Sequence, residues 1–331
     1  MPGLEPVPQG QLPFEYTKLD PTRHEIRLIR LKPATTGPIH GDMIVQSLDH
    51  HSFVPYEAVS YVWGESDMCE TITVDGNKLP ITRSAHVMLD RLCRANHGHL
   101  WIDAICINQA DDAERGHQVQ QMRRVYASAT RVIIYLGHSN ANIDLLMKGL
   151  RAGVEMSGAE TQNPMSRRAE RSTIEMWWQV QRVFRQNYLN ARQRQRAALC
   201  ELLDRSYFER IWIIQEVSNA RAGLVHCGDY AVSCSAFTLA PSLLDVQVKQ
   251  HCLHILEAMP TIQRHESSWL SAGQDMSLFH LLSKFRGSQA TLQRDRIYAL
   301  LGLCEREGDR TLLVDYTLSD VDVVRHAAAY I

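Results

Sequence analysis

The sequence lacks most of the features that would assign it at once. Its eight cysteines are scattered and form no C-x-x-C pair, which excludes a zinc ribbon and argues for reduced thiols rather than a disulfide framework. No apolar run reaches about 18 residues, so no membrane-spanning helix is expected. The start, MPGLEPVPQGQLPFEY, is rich in Pro and Gly and lacks the basic-then-apolar layout of a signal peptide. There is no G-x-x-x-x-G-K-[ST] and no G-x-G-x-x-G, which removes the P-loop and the usual dinucleotide fingerprint. A net charge of −2 over 331 residues argues against a chain built as a nucleic-acid or membrane-surface binder. No internal repeat is present. A cytoplasmic location is the expectation that follows.

What is present is a large apolar fraction, 45%, enough for a sizeable core. The most informative stretch is LWIDAICINQADDAERGHQVQQMRRVYASATRVIIYLG, residues 100–137. Leu100–Ile105 reads as a strand broken by Asp103. Asp111 and Glu114 have capping-box spacing, so a helix should start there. Val119, Met122, Val125 and Tyr126 recur at helical spacing, and RVIIYLG returns as a strand buried on both faces. Strand, helix and strand with short loops imply a right-handed parallel crossover, and ligands of such sheets bind at the carboxyl ends of the strands. That edge carries Asp103, Cys106, Asn108 and Gln109.

Upstream, residues 1–13 read as a flexible tail, and Glu25–Leu31 and Met43–Leu48 as strands. Tyr56–Val62 is a strand running into Trp63-Gly64-Glu65, where Gly permits a tight turn near a ligand. Thr71–Thr82 is a hairpin about Asp75-Gly76. Ser84 is placed to cap a helix to about Arg94. Downstream, Asp144–Val154 reads as helix, Ser157–Ser166 as a polar loop and Arg167–Asp204 as helical. Arg167 to Arg196 holds eight arginines against two glutamates. This is a nucleic-acid surface or, more simply, a solvated helix face; the overall charge favours the second. Ser206-Tyr207-Phe208-Glu209 fits a second capping box, opening a helix apolar nearly all round. Phe208, Trp212 and Glu216 share one of its faces, and a carboxylate there is costly unless paired or working. A hairpin about Gly228-Asp229, a helix over Leu239–Ala258, short helices at Leu278–Phe285 and Arg296–Leu303, and an extended piece at Val314–Tyr316 follow. Ile331 falls inside an apparent helix, which reads as a truncated end.

Three blocks, AVSYVWGE (58–65), LWIDAICINQ with its following helix, and RIWIIQEV (210–217), resemble the HET (heterokaryon incompatibility) domain family of fungal proteins. FEYTKLDPTRHEIRLIRL and RDRIYALLGL also look like this family, so the resemblance covers about 14–331. The family in turn resembles TIR domains. VSYVWGE has the Ser and Gly-Glu placement of the TIR segment LSFRGED. Ser206, Tyr207, Trp212 and Glu216 look like the TIR motif S-x-x-Y-x-x-S-x-W-C-x-x-E-L. Trp63 stands in place of the arginine, Ile213 in place of the cysteine, and residues 139–206 separate the last central strand from the glutamate.

The resemblance implies an α/β fold with a parallel, flavodoxin-like (TIR-like) core at about 54–230. To it are added an N-terminal β extension, a helical insertion at about 139–205 and a C-terminal helical region at about 236–331. It implies a cell-death effector that cleaves NAD⁺ at the nicotinamide–ribose bond, with no prosthetic group and no metal, activated by self-association or by an upstream sensor. Glu216 takes the catalytic role, the alternative being a glutamate paired with a residue such as Arg210. Tyr61, Trp63, Gly64, Glu65, Asp103, Asn108, Gln109 and Trp212 are the substrate-binding candidates. For each a structural role stands beside the functional one: Trp212 as core, Trp63 as turn packing, Asp103 as a loop cap. Cys106 as a nucleophile with His117 or His226, and a metal on His226 and Cys227, are weaker alternatives. A non-enzymatic signalling module is the other class of function.

Overall fold

The computed structural model describes residues 12–33, 37–49, 54–65, 67–95, 97–157, 175, 178–183, 189–261, 269–270, 275–304 and 312–331. Most of the expected tail (1–11), the polar loop after Ser157 and much of the arginine-rich stretch lie outside them. Nine strands form one sheet: β1 (Glu25–Leu31), β2 (His40–Ser47), β3 (Tyr56–Tyr61), β4 (Glu70–Val74), β5 (Asn77–Ile81), β6 (His99–Trp101), β7 (Arg131–Tyr135), β8 (Gly223–Cys227) and β9 (Tyr230–Ser233). Their spatial order is β5-β4-β2-β1-β6-β3-β7-β8-β9.

The middle of the sheet, β6-β3-β7-β8, is wholly parallel. In chain order these strands lie second, first, third and fourth. All six residues of β3 are buried, as a central strand covered on both faces requires. β1 pairs antiparallel with both β6 and β2, so the N-terminal strands extend the same sheet. The β4–β5 hairpin turns at Asp75 and Gly76, whose φ values of 49° and 83° suit a turn of the primed type. Leu12 and Pro13, assigned to the tail from sequence, are held: Lys78 N–H donates to the Leu12 carbonyl, and Pro13 bridges to Lys78.

Helix α1 (Arg83–Arg94) is capped by Thr82, whose hydroxyl accepts from Ala85 N–H. Ser84, the expected cap, instead donates to the Val62 carbonyl. The Leu100–Ile105 strand is shorter than expected. After Trp101 the Ile105 and Cys106 amides bond back to the Ile102 carbonyl, winding Asp103–Cys106 into a single turn, α2. Helix α3 (Asp112–Ser128) starts where expected, its Asp111 cap accepting from Ala113 and Glu114. Two tyrosine hydroxyls fasten it to β3: Tyr56 donates to the Val125 carbonyl at 2.7 Å and Tyr126 to the Val59 carbonyl at 3.2 Å. Helix α4 (Ala141–Ser157) follows β7 and packs on the Leu189–Leu203 helix.

The second expected capping box does not open a helix. Ser206–Glu209 is a 3₁₀ turn, and the helix proper begins at Trp212 without a side-chain cap. The break arises because the backbone of Gln289 intervenes, taking the Glu209 carbonyl at 2.6 Å and the Ile211 amide at 2.9 Å. The Leu239–Ala258 helix is two, Cys234–Leu244 and Gln250–Ala258, because Asp245 turns left-handed at φ 55°. Val314–Tyr316 forms no strand. Helices Leu278–Lys284, Asp295–Leu301 and Asp320–Tyr330 complete the chain. Among the described residues no helix is long and apolar enough to cross a membrane.

Candidate functional site

The carboxyl end of β3 meets the end of β6, and the Trp212–Ser218 helix packs against β3 and α3 beside them. This brings Tyr61, Trp63, Asp103, Arg210 and Glu216 into one neighbourhood, although the sequence spreads them over 156 positions from 61 to 216. Glu216 is 2% exposed, and its Oε2 has no hydrogen-bond partner among the described residues. Burial pushes its carboxyl up to about 7; the Arg210 guanidinium pulls against that rise, the Asp103 charge adds to it, and a hydrogen bond with Ser60 opposes it. The Ser60 hydroxyl lies 2.8 Å from the Tyr207 hydroxyl, so a Ser–Tyr pair backs the glutamate.

Arg210 does not ion-pair with Glu216. Its guanidinium donates to the Tyr61 carbonyl, at the very end of β3. Among the described residues Glu216 forms no ion pair, with Arg210 or with another cation. Tyr61 is buried with an unpartnered hydroxyl, and its phenol is raised by burial and by the charges of Asp103 and Glu216. Asp103 is half-buried. Its carboxylate receives the Trp63 indole N–H at 3.1 and 3.0 Å and the Ala104 amide at 2.7 Å. Burial raises its pKa, while Arg210 and these donors hold it back. Two acidic groups, one cation and two tyrosines thus lie together, with Glu216 Oε2 and the Tyr61 hydroxyl unpartnered among the described residues.

The other sequence candidates sit at differing distances from this centre. Gly64 adopts φ 71°, the left-handed turn that its place after Trp63 demands, and Glu65 is exposed in the same loop. Gln109 donates to the Asp103 carbonyl at 3.0 Å, and the Asn108 side chain accepts from Ala110 N–H, so both shape the α2–α3 loop. Trp212 is half-buried, and its indole N–H is given to Asp295 at 3.2 Å. Glu114 does not close a capping box. It bonds both Arg27 guanidinium nitrogens, at 2.6 and 2.9 Å, and the Asn108 amide at 2.7 Å.

Cys106 is fully buried and its thiol is pushed up to about 12, the wrong direction for a nucleophile. All eight cysteines are free, and no described group of three His, Cys, Asp or Glu side chains is arranged to hold a metal ion. Ser60 and Tyr207 were seen in sequence only as parts of motifs. Nothing in their spacing indicates that they meet across 147 positions.

Residues 56–216 match the model of the heterokaryon incompatibility protein (HET) family. The chain is also similar to heterokaryon incompatibility protein 6, OR allele, of Neurospora crassa. The two are 27% identical over 95% of this chain, which spans about half, 52%, of that protein's length. No solved structure matches the chain.

Proposed function

We propose, from the match of residues 56–216 to the HET family, that this chain is a cell-death effector of fungal incompatibility that cleaves NAD⁺ at the nicotinamide–ribose bond. The observation that carries this reading is Glu216, a buried carboxylate with an unpartnered oxygen beside the end of β3. The second-first-third-fourth order of the parallel strands supports a flavodoxin-like, TIR-type core, whose ligands bind at the carboxyl strand ends near β3.

The chemistry asks little of the protein. Heterolysis of the C–N bond sends the electron pair to the nicotinamide nitrogen, whose positive charge it neutralises, so no general acid is needed. The ribosyl oxocarbenium ion left behind is stabilised by an adjacent carboxylate until water adds at the same carbon and releases a proton. Glu216 supplies that carboxylate, and it must be ionised to do so. With its pKa near 7, activity rises with pH through that value. Asp103 and Tyr61 are placed to meet ribose hydroxyls, and Trp63 and Trp212 to wall the base. The 2% exposure of Glu216 describes a closed site, which fits activation by self-association or by an upstream sensor in the cytoplasm.

The same closure favours a second reading, a signalling module that kills through protein contacts alone. Expression of wild type and Glu216→Ala in a fungal host, with viability and cellular NAD⁺ followed together, separates the two. The enzyme reading expects wild type to lower both and the variant neither. Death without loss of NAD⁺, equally strong in Glu216→Ala, would replace it with the signalling module.

A further inference from the structure

The HET match ends at residue 216, yet the helix bearing Glu216 is held by residues about 80 positions later. Three contacts carry this. The first is the backbone bridge at Gln289, which fixes Glu209 and Ile211 just before the helix begins. The second is Asp295, itself 8% exposed, which accepts the Trp212 indole N–H on one oxygen at 3.2 Å and the Tyr316 hydroxyl on the other at 2.8 Å. The third is the strap running through Val314 and Tyr316, which lies along α3. Val314 N–H donates to Gln120 at 2.8 Å, and a Cβ at Gly116 would approach the Val314 carbonyl to 3.1 Å, so a side chain there would crowd the strap. Arg115 of α3 stacks on the Tyr316 ring at 4.0 Å, and Arg294 fixes the strap by donating to the Tyr316 and Leu318 carbonyls.

Asp295 therefore joins two otherwise separate elements, the uncapped Trp212–Ser218 helix and the strap on α3. Trp212 precedes Glu216 by four residues, on the same helix face. We infer that Asp295 is a positioning residue for Glu216, and that the described residues 289–304 and 312–318 are part of the working unit although they lie outside the matched domain. This rests on the proposed role of Glu216. The geometric logic is that this seven-residue helix has no side-chain cap and is set by its packing on β3 and α3, to which the Trp212–Asp295 bond adds a directional tie at its first turn, one turn before Glu216. A small rotation moves the carboxylate, and misplacement of a catalytic group by about 1 Å costs on the order of 100-fold in rate.

The test uses the whole chain with NAD⁺ as probe and compares wild type, Asp295→Asn, Asp295→Ala and Tyr316→Phe. Nicotinamide release gives kcat and KM, and amide hydrogen exchange is read over 212–218 and over β3 and β7. The positioning role expects kcat to fall by about 10- to 100-fold in Asp295→Ala with KM unchanged. Asp295→Asn, which keeps an acceptor oxygen, and Tyr316→Phe lose less. Exchange should quicken over 212–218 while β3 and β7 stay protected. Wild-type kcat in all three variants, or exchange quickened evenly across the chain, would overturn it. If wild type itself releases no nicotinamide, the reading of Glu216 has failed. The exchange arm then decides alone: selective loosening of 212–218 keeps the tie, and unchanged exchange removes it.

Discussion

Glu114 and Glu216 project from two helices that pack against each other, yet their surroundings are opposite. Glu114 accepts three hydrogen bonds, two from the Arg27 guanidinium and one from Asn108 N–H, with Arg27 only 1% exposed. Arg27 is itself fully occupied: it also donates to the Thr17 and Cys106 carbonyls and stacks on Tyr16. This is how a fold buries an ion pair, with excellent geometry and every donor spent, and it ties the N-terminal segment and β1 to the α2–α3 loop. Glu216 is more deeply buried but has an oxygen unpartnered among the described residues, and the guanidinium of Arg210 beside it is turned to a backbone carbonyl. The difference is one of partners: Glu114 is closed by a guanidinium, whereas Glu216 is backed by the Ser60 hydroxyl.

The contrast can be broken at either end. The largest effect belongs to Glu114→Ala, which strands Arg27 in the interior and should cost about 3–5 kcal/mol in urea unfolding. Glu216→Gln should act in the reverse sense. The folded protein holds a proton on Glu216 up to about pH 7, whereas the unfolded chain releases it near 4.5, so stability from this group falls as pH rises between those values. Replacing the carboxylate by a neutral amide removes that loss. The variant should gain about 3 kcal/mol at pH 8, the gain shrinking toward zero by pH 5. Equal stability of variant and wild type at pH 8 would show that the carboxylate is better satisfied than its contacts suggest. Trp63→Phe withdraws the indole donor from both oxygens of Asp103 and should cost about 1–3 kcal/mol, read by thermal unfolding. Asp111→Ala, losing the α3 cap, should cost about 1 kcal/mol and sharpen the comparison as the purely structural baseline.

Much of this architecture is legible in sequence because it rests on local rules. β7 is a continuous apolar run and β3 is rich in small and β-branched residues, the Asp75-Gly76 hairpin is turn chemistry, and Asp111 caps α3 as a side chain beside its own helix can. The failures are equally physical. Glu114 has capping-box spacing, but a guanidinium 87 positions away outcompetes the backbone amide. Ser206 has the spacing of a cap, but the backbone of Gln289 takes the Glu209 carbonyl and the Ile211 N–H and delays the helix to Trp212. Of the site, Glu216, Tyr61, Trp63 and Asp103 were visible through motif resemblance and strand-end logic, and they do converge. The turning of Arg210 to the Tyr61 carbonyl and the Asp295 tie depend on long-range contacts that no spacing encodes, whereas Asn108 and Gln109 bond within or beside their own loop.

The most direct measurement is nicotinamide release from NAD⁺ by concentrated wild type and Glu216→Gln, side by side, from pH 6 to 8.5. The proposed role of Glu216 predicts release by wild type that climbs through about pH 7, and none by a variant that is folded and, at pH 8, the more stable of the two. Release by Glu216→Gln at the wild-type rate would contradict it.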